Sequence, residues 1–433
     1  MTKENDVIFC DTSAGIDAAV VEAFSYFGGA RSLLKQSRDV YIKVNAVDHK
    51  PYAYTDPAVL ASVIRYLKAN GAKTVYVIEN CTQGNITRLV FLATGIARVC
   101  RETGAVPVCL DETGAVPVFL HGLQSFIDIS DFVYERLIRQ KEKNLYISLP
   151  KLKTHSMSTV TLSIKNQFGF VHHHSRITDH NFKLHQKFAD IYRLLRPDFV
   201  IVDGLVATNH GHYIAEKHHD ECIITQNCLI AGKDPLAVDT AAAAFMGFSQ
   251  NRVEHLRLCA ETGISRVSEK NIRIINKNLF ETRRRNLTCE LLGDFPDDVV
   301  ILRGKTRCCA EGCRNNTETV VELLHADYNG KGGFTILMGK DIDREEIENI
   351  RPPVHIAGSC AISDHGPDML RRFGKSRVTF SRGCNNLSET VYGLCRHMGI
   401  NPLRLGRLNP ALSLAGLVQA RLKGSKALIP RLI

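Results

Sequence analysis

VYIKVNAVDHKPYAYTDPAVLASVIRYLKANGAKTVYVI, residues 40–78, decides the fold. Val40-Tyr-Ile-Lys-Val44 is a short β-rich run that reads as a strand. Pro57 to Asn70 reads as a helix, with Val59, Leu60, Val63, Ile64 and Leu67 at helical spacing and Gly71 closing it. Thr74-Val-Tyr-Val-Ile78 is the next strand. Two further strands, Leu145-Tyr-Ile-Ser-Leu149 and Phe199-Val-Ile-Val202, continue the alternation. The pattern predicts an α/β domain over residues 1–298, with a largely parallel sheet and flanking helices.

A second segment, 299–401, reads as a smaller α/β unit. It has strands at Phe334–Leu337 and Val354–Ala357, and helices near 316–325 and 386–398. It also holds six of the chain's fourteen cysteines. Residues 402–433 form a basic, leucine-rich tail with six Lys or Arg and no acid; they carry +6 of the formal +10, so the rest of the chain is only +4. The tail reads first as a C-terminal helix packed on its own protein with a solvated basic face, and alternatively as a dock for a partner or an anionic membrane surface; it is expected to be dispensable for any pocket. Residues 101–120 contain two near-identical decapeptides, expected to form two short strands around an Asp111–Gly114 turn.

The chain's 433 residues are 44% hydrophobic and 23% charged, which are globular values. No apolar run suits a membrane-spanning helix, and no signal-peptide core follows Met1. The expected location is the cytoplasm, where cysteines stay reduced and serve as thiols, ligands or catalytic groups. Zinc-finger and aromatic RNA-binding spacings are absent, so dedicated nucleic-acid binding is not expected.

The densest chemistry lies in Pro150-Lys-Leu-Lys-Thr-His155 and onward to Lys165-Asn-Gln-Phe-Gly169. The stretch follows a strand, and open α/β sheets bind ligands beyond the carboxyl ends of their strands. Lys151, Lys153, His155, Lys165 and Asn166 are read as a polar loop in that crevice, joined by Lys43 and Asn45 at the end of the first strand. Glu79, Asn80 and Asp203 end other strands. Lysines suit a carboxylate or phosphate, so the expected ligand is a small anionic metabolite. Lys43, Asn45, Lys151, Lys153 and Asn166 would bind it; His155, Lys165 and Asp203 would be catalytic. Gly169 is assigned a tight turn. Asp234 reads as a helix N-cap before Pro235, and Asp239 as a residue either buried or facing the crevice. His172-His173-His174 reads as a mobile loop.

In the second segment, Cys309, Cys313, Cys360 and Cys384 are the candidate ligands, and three of them, Cys313, Cys360 and Cys384, are flanked by Gly or Ser. Such tight turns let backbone N–H groups reach the sulfides of an iron–sulfur cluster. A [4Fe-4S] cluster is therefore expected, with zinc as the alternative on the same four ligands. Cys308 should point away from the group that Cys309 joins, because adjacent side chains in extended chain alternate.

The sequence of Lys43-x-Asn45, Thr55-Asp-Pro57, Gly71-Ala-Lys73, Pro150-Lys-Leu-Lys-Thr-His155, Thr161–Gly169, Asp203-Gly204 and Asp234-Pro-Leu-Ala-Val-Asp239 resembles the prokaryotic family catalogued as domain of unknown function 362, over roughly residues 38–250. The resemblance implies the fold and pocket. It also implies a link to iron–sulfur chemistry, since many members carry such ligands in a ferredoxin segment. This chain lacks the ferredoxin spacing, so a cluster here must use its own C-terminal cysteines. The layout is also similar, more faintly, to nickel-dependent lactate racemases.

Three functions follow as expectations. The first is an iron–sulfur oxidoreductase, with an electron-donor protein as partner. The second is a redox-neutral isomerase or racemase with a metal cofactor in the same Lys/His pocket. The third is a non-enzymatic electron-transfer or metal-handling protein.

Overall fold

The computed structural model describes residues 3–405 and 409–427. The main sheet runs Arg273–Ile275, Asp6–Asp11, Ile223–Gly232, Phe199–Thr208, Leu145–Leu149, Asp39–Val44, Thr74–Glu79, Val106–Cys109. From Phe199–Thr208 to Val106–Cys109 every neighbouring pair is parallel. Ile223–Gly232 is antiparallel to both its neighbours. The sheet is thus mainly parallel, as the strand–helix alternation predicts.

Apolar side chains cover both faces of this sheet, as buried parallel strands require. On one face the helix Pro57–Ala69 buries Val59, Leu60, Val63, Ile64 and Leu67. Asp56 caps it by accepting from the Ala58 N–H at 2.7 Å. Each such aliphatic side chain contributes about 1.5–3 kcal/mol by leaving water. On the other face lie Leu184–Leu194 and the alanine-rich Pro235–Phe245. Asp234 caps the latter through the Leu236 and Ala237 N–H groups, at 2.8 and 3.0 Å.

Three local readings differ from the structure. Residues 151–155 are a strand rather than a loop; they pair with Phe199–Thr208 and, antiparallel, with Thr159–Thr161. The near-repeat does give two strands, Val106–Cys109 and Ala115–Leu120. They lie in different sheets, because Ala115–Leu120 pairs with Ser125–Ser130. The histidine triplet opens a helix, His173–Asp179, capped by the His172 ring.

The second segment has four parallel strands in chain order: Val300–Arg303, Thr335–Met338, Val354–Ala357 and Val378–Ser381. Asn315–Tyr328 and Leu387–His397 pack on one face and Ser359–Phe373 on the other. This unit is tied to the first. Asn315 Nδ2 donates to the Ser156 carbonyl at 2.6 Å, Asn181 Nδ2 to the Cys384 carbonyl at 2.9 Å, and Lys50 pairs with Asp327.

The tail is not a free arm. Pro410–Leu422 is a helix lying on Thr87–Ala93, where Gly416 lets it approach Leu89. Beyond it, Ser425 Oγ donates to the buried Asp111 Oδ2 at 2.9 Å. Arg407 and Arg431, two of the six tail cations, lie outside the described residues. Among the described residues no helix is long and apolar enough to cross a membrane.

Because the tail is docked, removing residues 409–433 should lower the stability measured by urea unfolding. Ser425→Ala alone should cost about 1–3 kcal/mol by leaving a buried carboxylate without its donor. An unchanged midpoint for both variants would mean that the tail does not pack on the body.

Candidate functional site

A cavity of about 960 Å³ opens at the carboxyl edge of the main sheet. Lys43 and Asn45 reach it from the end of Asp39–Val44, and Glu79 and Asn80 from the end of Thr74–Glu79. Lys153 and His155 come from the strand Lys151–His155; Lys165 and Asn166 come from the short helix Ser163–Asn166.

That short helix is held by Asp239. Its two carboxylate oxygens accept from the Ser163 and Ile164 N–H groups, at 2.9 and 2.7 Å. Full burial pushes the Asp239 carboxyl up to about 8, against the lowering pull of those two N–H groups. Asp239 therefore positions Lys165 and does not face the ligand space.

Lys43 is buried and paired with Glu79. It also donates to the Val44 carbonyl at 2.8 Å and to Asn166 Oδ1 at 3.2 Å. Asn166 Nδ2 returns a bond to the Lys43 carbonyl at 3.0 Å. Gly169 lies against this pair: a Cβ there would stand 2.6 Å from Glu79 Oε1 and 2.7 Å from Lys43 Cε. Its requirement is clearance, not the expected tight turn.

The cavity is rich in positive charge that the protein does not neutralise. Lys153 Nζ donates to the Ala53 carbonyl at 2.7 Å but has no carboxylate. Lys165 Nζ has no hydrogen bond or ion pair among the described residues; it lies 5.9 Å from the Phe188 ring centre. Burial, then Arg176 and Lys43, bring the Lys165 ammonium down to about 7. Burial and the neighbouring Lys165 charge hold Lys153 well below the usual lysine range. Arg176 is buried too, donating to the Asn80 carbonyl at 3.0 Å. Its Nε, with Asn45 Oδ1, Asn80 Oδ1, Gln83 Oε1 and His212 Nδ1, is a buried polar atom without a partner among the described residues. Buried polar groups are nearly always bonded, so five orphans around one cavity point to a ligand.

His155 stacks on His212 with ring centres 3.6 Å apart and planes 5° from parallel. Burial, then each other or the nearby lysines, hold both imidazoles well below their usual range, so both are neutral at pH 7. His155 Nδ1 accepts from the Met157 N–H at 3.2 Å, which leaves the ring proton on Nε2.

Of the residues read from sequence, Lys43, Asn45, Lys153, His155, Lys165 and Asn166 line the one cavity. Lys151 and Asp203 do not. They form a buried ion pair at 3.0 Å, and Asp203 also accepts from the Asp56 N–H at 2.7 Å. Their role is to lock the Thr55-Asp56-Pro57 turn to the sheet, where Thr55 Oγ1 donates to the Leu149 carbonyl at 2.7 Å. Arg176, His180 and His212 were not singled out, although all lie within the histidine-rich stretch 172–219. Pro410, Ser413, Leu414 and Leu417 of the tail helix also line the cavity, contrary to the expected dispensable tail.

The four candidate cysteines end up in one neighbourhood. Cys309 and Cys313 bracket the turn Ala310–Arg314; Cys360 is in the first turn of Ser359–Phe373; Cys384 follows Val378–Ser381. Burial, then the sulfurs of Cys309, Cys384, Cys308 and Cys360, push the Cys313 thiol up to about 12. Burial, then Asp179, Cys360 and Cys309, push Cys384 up to about 11. Burial, Glu311 and then Cys360 raise Cys309. Gly358 gives Cys313 its room, since a Cβ at 358 would lie 2.5 Å from the sulfur. Asn385 fixes the turn by donating to the Cys313 carbonyl and Thr317 Oγ1, at 3.3 and 2.9 Å. Among the described residues no three His, Cys, Asp or Glu side chains form a group able to hold a single metal ion. The cysteines border the cavity, because Asn181 and Asn385 line it and Asn181 donates to the Cys384 carbonyl.

A strand-edge crevice with this set of motifs defines a recognised class of α/β domain. The family model described as domain of unknown function (DUF362) matches residues 40–244. The chain is also 26% identical over 191 residues to the thylakoid-associated protein sll1697 of Synechocystis sp.; the match covers 42% of this chain and 56% of that protein. The chain thus spans little more than half the length of this relative. No solved structure matches.

Two outcomes follow. Lys151→Met should cost about 3–5 kcal/mol in urea unfolding, because it strands Asp203 in the core, and the double variant Lys151→Met/Asp203→Leu should recover much of that. Anion binding, followed by calorimetry, should weaken as pH rises above about 7. Lys165 loses its proton there, and binding just above that point should take up protons. Lys165→Met should abolish the pH dependence.

Proposed function

We propose that the chain is an iron–sulfur-dependent oxidoreductase acting on an anionic substrate held in this cavity. The observation that supports it most is the meeting of four strand-end cysteines beside a cavity with unneutralised buried cations. The donor set suits a cluster: four thiols, three of them next to Gly or Ser, near enough to feel one another's charge. Sulfurs around one zinc stand about 3.8 Å apart, given Zn–S bonds of about 2.3 Å. A [4Fe-4S] core holds its ligand sulfurs about 6–7 Å apart. Zinc on the same four ligands is the alternative. Cys309, Cys313, Cys360 and Cys384 would hold the cluster. Cys308, whose Cβ lies near Gly339, is proposed to stay outside the set.

When bound, such a cluster supplies single electrons drawn from a reduced donor protein. The chain's own residues bind and protonate. Arg176, Lys153 and Lys43 hold the substrate's anionic group. Lys165, with an ordinary acidity near neutrality, gives a proton to the reduced substrate and regains it from solvent. His155 is neutral, so it acts as an Nε2–H hydrogen-bond donor rather than as a charged acid. A reduction of a double bond or carbonyl consumes two electrons and two protons, so Lys165 would turn over twice.

A redox-neutral isomerase or racemase is the second reading. The neutral His212 imidazole, stacked on His155, favours it, since its Nδ1 has no partner among the described residues and an unprotonated imidazole nitrogen can abstract a proton. The location proposed is the cytoplasm. The exposed basic residues Arg404, Lys423 and Lys426, with a thylakoid-associated relative, support docking of the tail on an anionic membrane face or on a partner protein.

Protein purified without air should be brown and contain about four iron and four sulfide per chain. Cys360→Ser should lose both, and Cys308→Ser should keep them. Colourless protein with one zinc would exclude the redox mechanism. Turnover that survives Cys360→Ser would favour the isomerase.

A further inference from the structure

The cavity is too large and too unevenly lined for a small metabolite alone. Its cations, Lys43, Lys153, Lys165 and Arg176, come from the sheet edge and the segment just beyond it, and they affect one another's ionisation. The rest of the wall is mixed and includes polar Asp48, Lys50, Asn85, Glu216 and Asn316, but one part of it is apolar and comes from other elements. Leu89 lies on Thr87–Ala93, Val320 and Leu324 on Asn315–Tyr328, Val391 on Leu387–His397, and Leu414 and Leu417 on the tail helix. None of these side chains can bond to a charged head. The volume of about 960 Å³ lies at the top of the range for sites that engulf drug-sized ligands. The tail helix closes this apolar part while leaving Leu414 63% exposed at the opening.

We propose that the ligand is an amphiphile. Its carboxylate or phosphate head sits against Lys165 and Arg176, and its hydrocarbon portion lies between the tail helix and the two helices of the cysteine-bearing unit. The charged part of the site supplies specificity for the head. The apolar part supplies affinity that grows with chain length, because each methylene removed from water adds a similar increment. This inference rests on reading the cavity as a substrate site, and is independent of whether the cysteines hold a cluster.

The test is calorimetric titration of the full chain, below the micelle concentration, with dodecanoate and dodecyl phosphate. The controls are acetate, methyl phosphate and dodecyltrimethylammonium. At least one long-chain anion should bind a hundredfold or more tighter than its short counterpart, with a gain of roughly three- to fourfold per methylene over the first several. The cation should bind at least tenfold more weakly than that anion. Lys165→Met should weaken long and short anions alike by about tenfold. Leu414→Glu, at an exposed position where folding is not at risk, should weaken only the long ones. Short and long anions of equal affinity would overturn the amphiphile while leaving the anion site intact. Equal binding of dodecyltrimethylammonium would overturn the head-group assignment. No binding of any anion would overturn the substrate-site reading itself.

Discussion

Positive charge held out of water without enough negative charge beside it is the constraint on which the rest of this structure depends. Glu79 answers Lys43, and Lys151 and Asp203 answer each other. Among the described residues Lys153, Lys165 and Arg176 form no ion pair with a carboxylate. An isolated charge in a low-dielectric interior costs several kcal/mol or gives up its proton, and the more easily lost protons of Lys153 and Lys165 are that response. The cost persists only because other residues hold the lysines in place. Asp239 pins the helix that presents Lys165, and the pairing of Lys151–His155 with Phe199–Thr208 and Thr159–Thr161 fixes Lys153. An anion entering the cavity would restore the charges and satisfy the orphaned polar atoms around it.

The cysteine-bearing unit is built on the same plan at a smaller scale. Four parallel strands end in turns, and the turns carry the thiols. Asn385 and Asn181 do comparable work on opposite sides of one peptide: Asn385 ties the 384 turn to the Cys313 turn, and Asn181 ties it to the first domain. The second contact makes the two units share one cavity wall. The tail then closes the space, using Gly416 to reach Leu89 and Ser425 to reach Asp111. What reads in the sequence as an appendage is part of the enclosure.

The strands and main helices were legible because period and punctuation are local: apolar spacing from Val59 to Leu67 and Gly71 after it state a helix without reference to anything else. The lysines at strand ends were legible for a similar reason, since topology alone sends them to one edge. The fates of Lys151 and Asp203 were not. Lys151 has the same strand parity as Lys153 and His155, so only an ion pair formed across 52 residues takes it and Asp203 out of the site, and no local signal announces it. Arg176 and His212 lie in a histidine-rich stretch, 172–219, in which no ligand spacing or strand end marks one residue over another. Gly169 carried the right importance for the wrong reason, because the atoms it must avoid lie on two other strands.

The most direct measurement is a redox titration of the anaerobically prepared protein, followed by electron paramagnetic resonance, with and without a bound anion. A cluster on Cys309, Cys313, Cys360 and Cys384 beside this cavity should show a more negative potential when the anion is bound, because added negative charge opposes the extra electron. Lys165→Met should reduce that shift by weakening the anion. A cluster signal whose potential ignores saturating anion, or no cluster signal at all, would contradict the account.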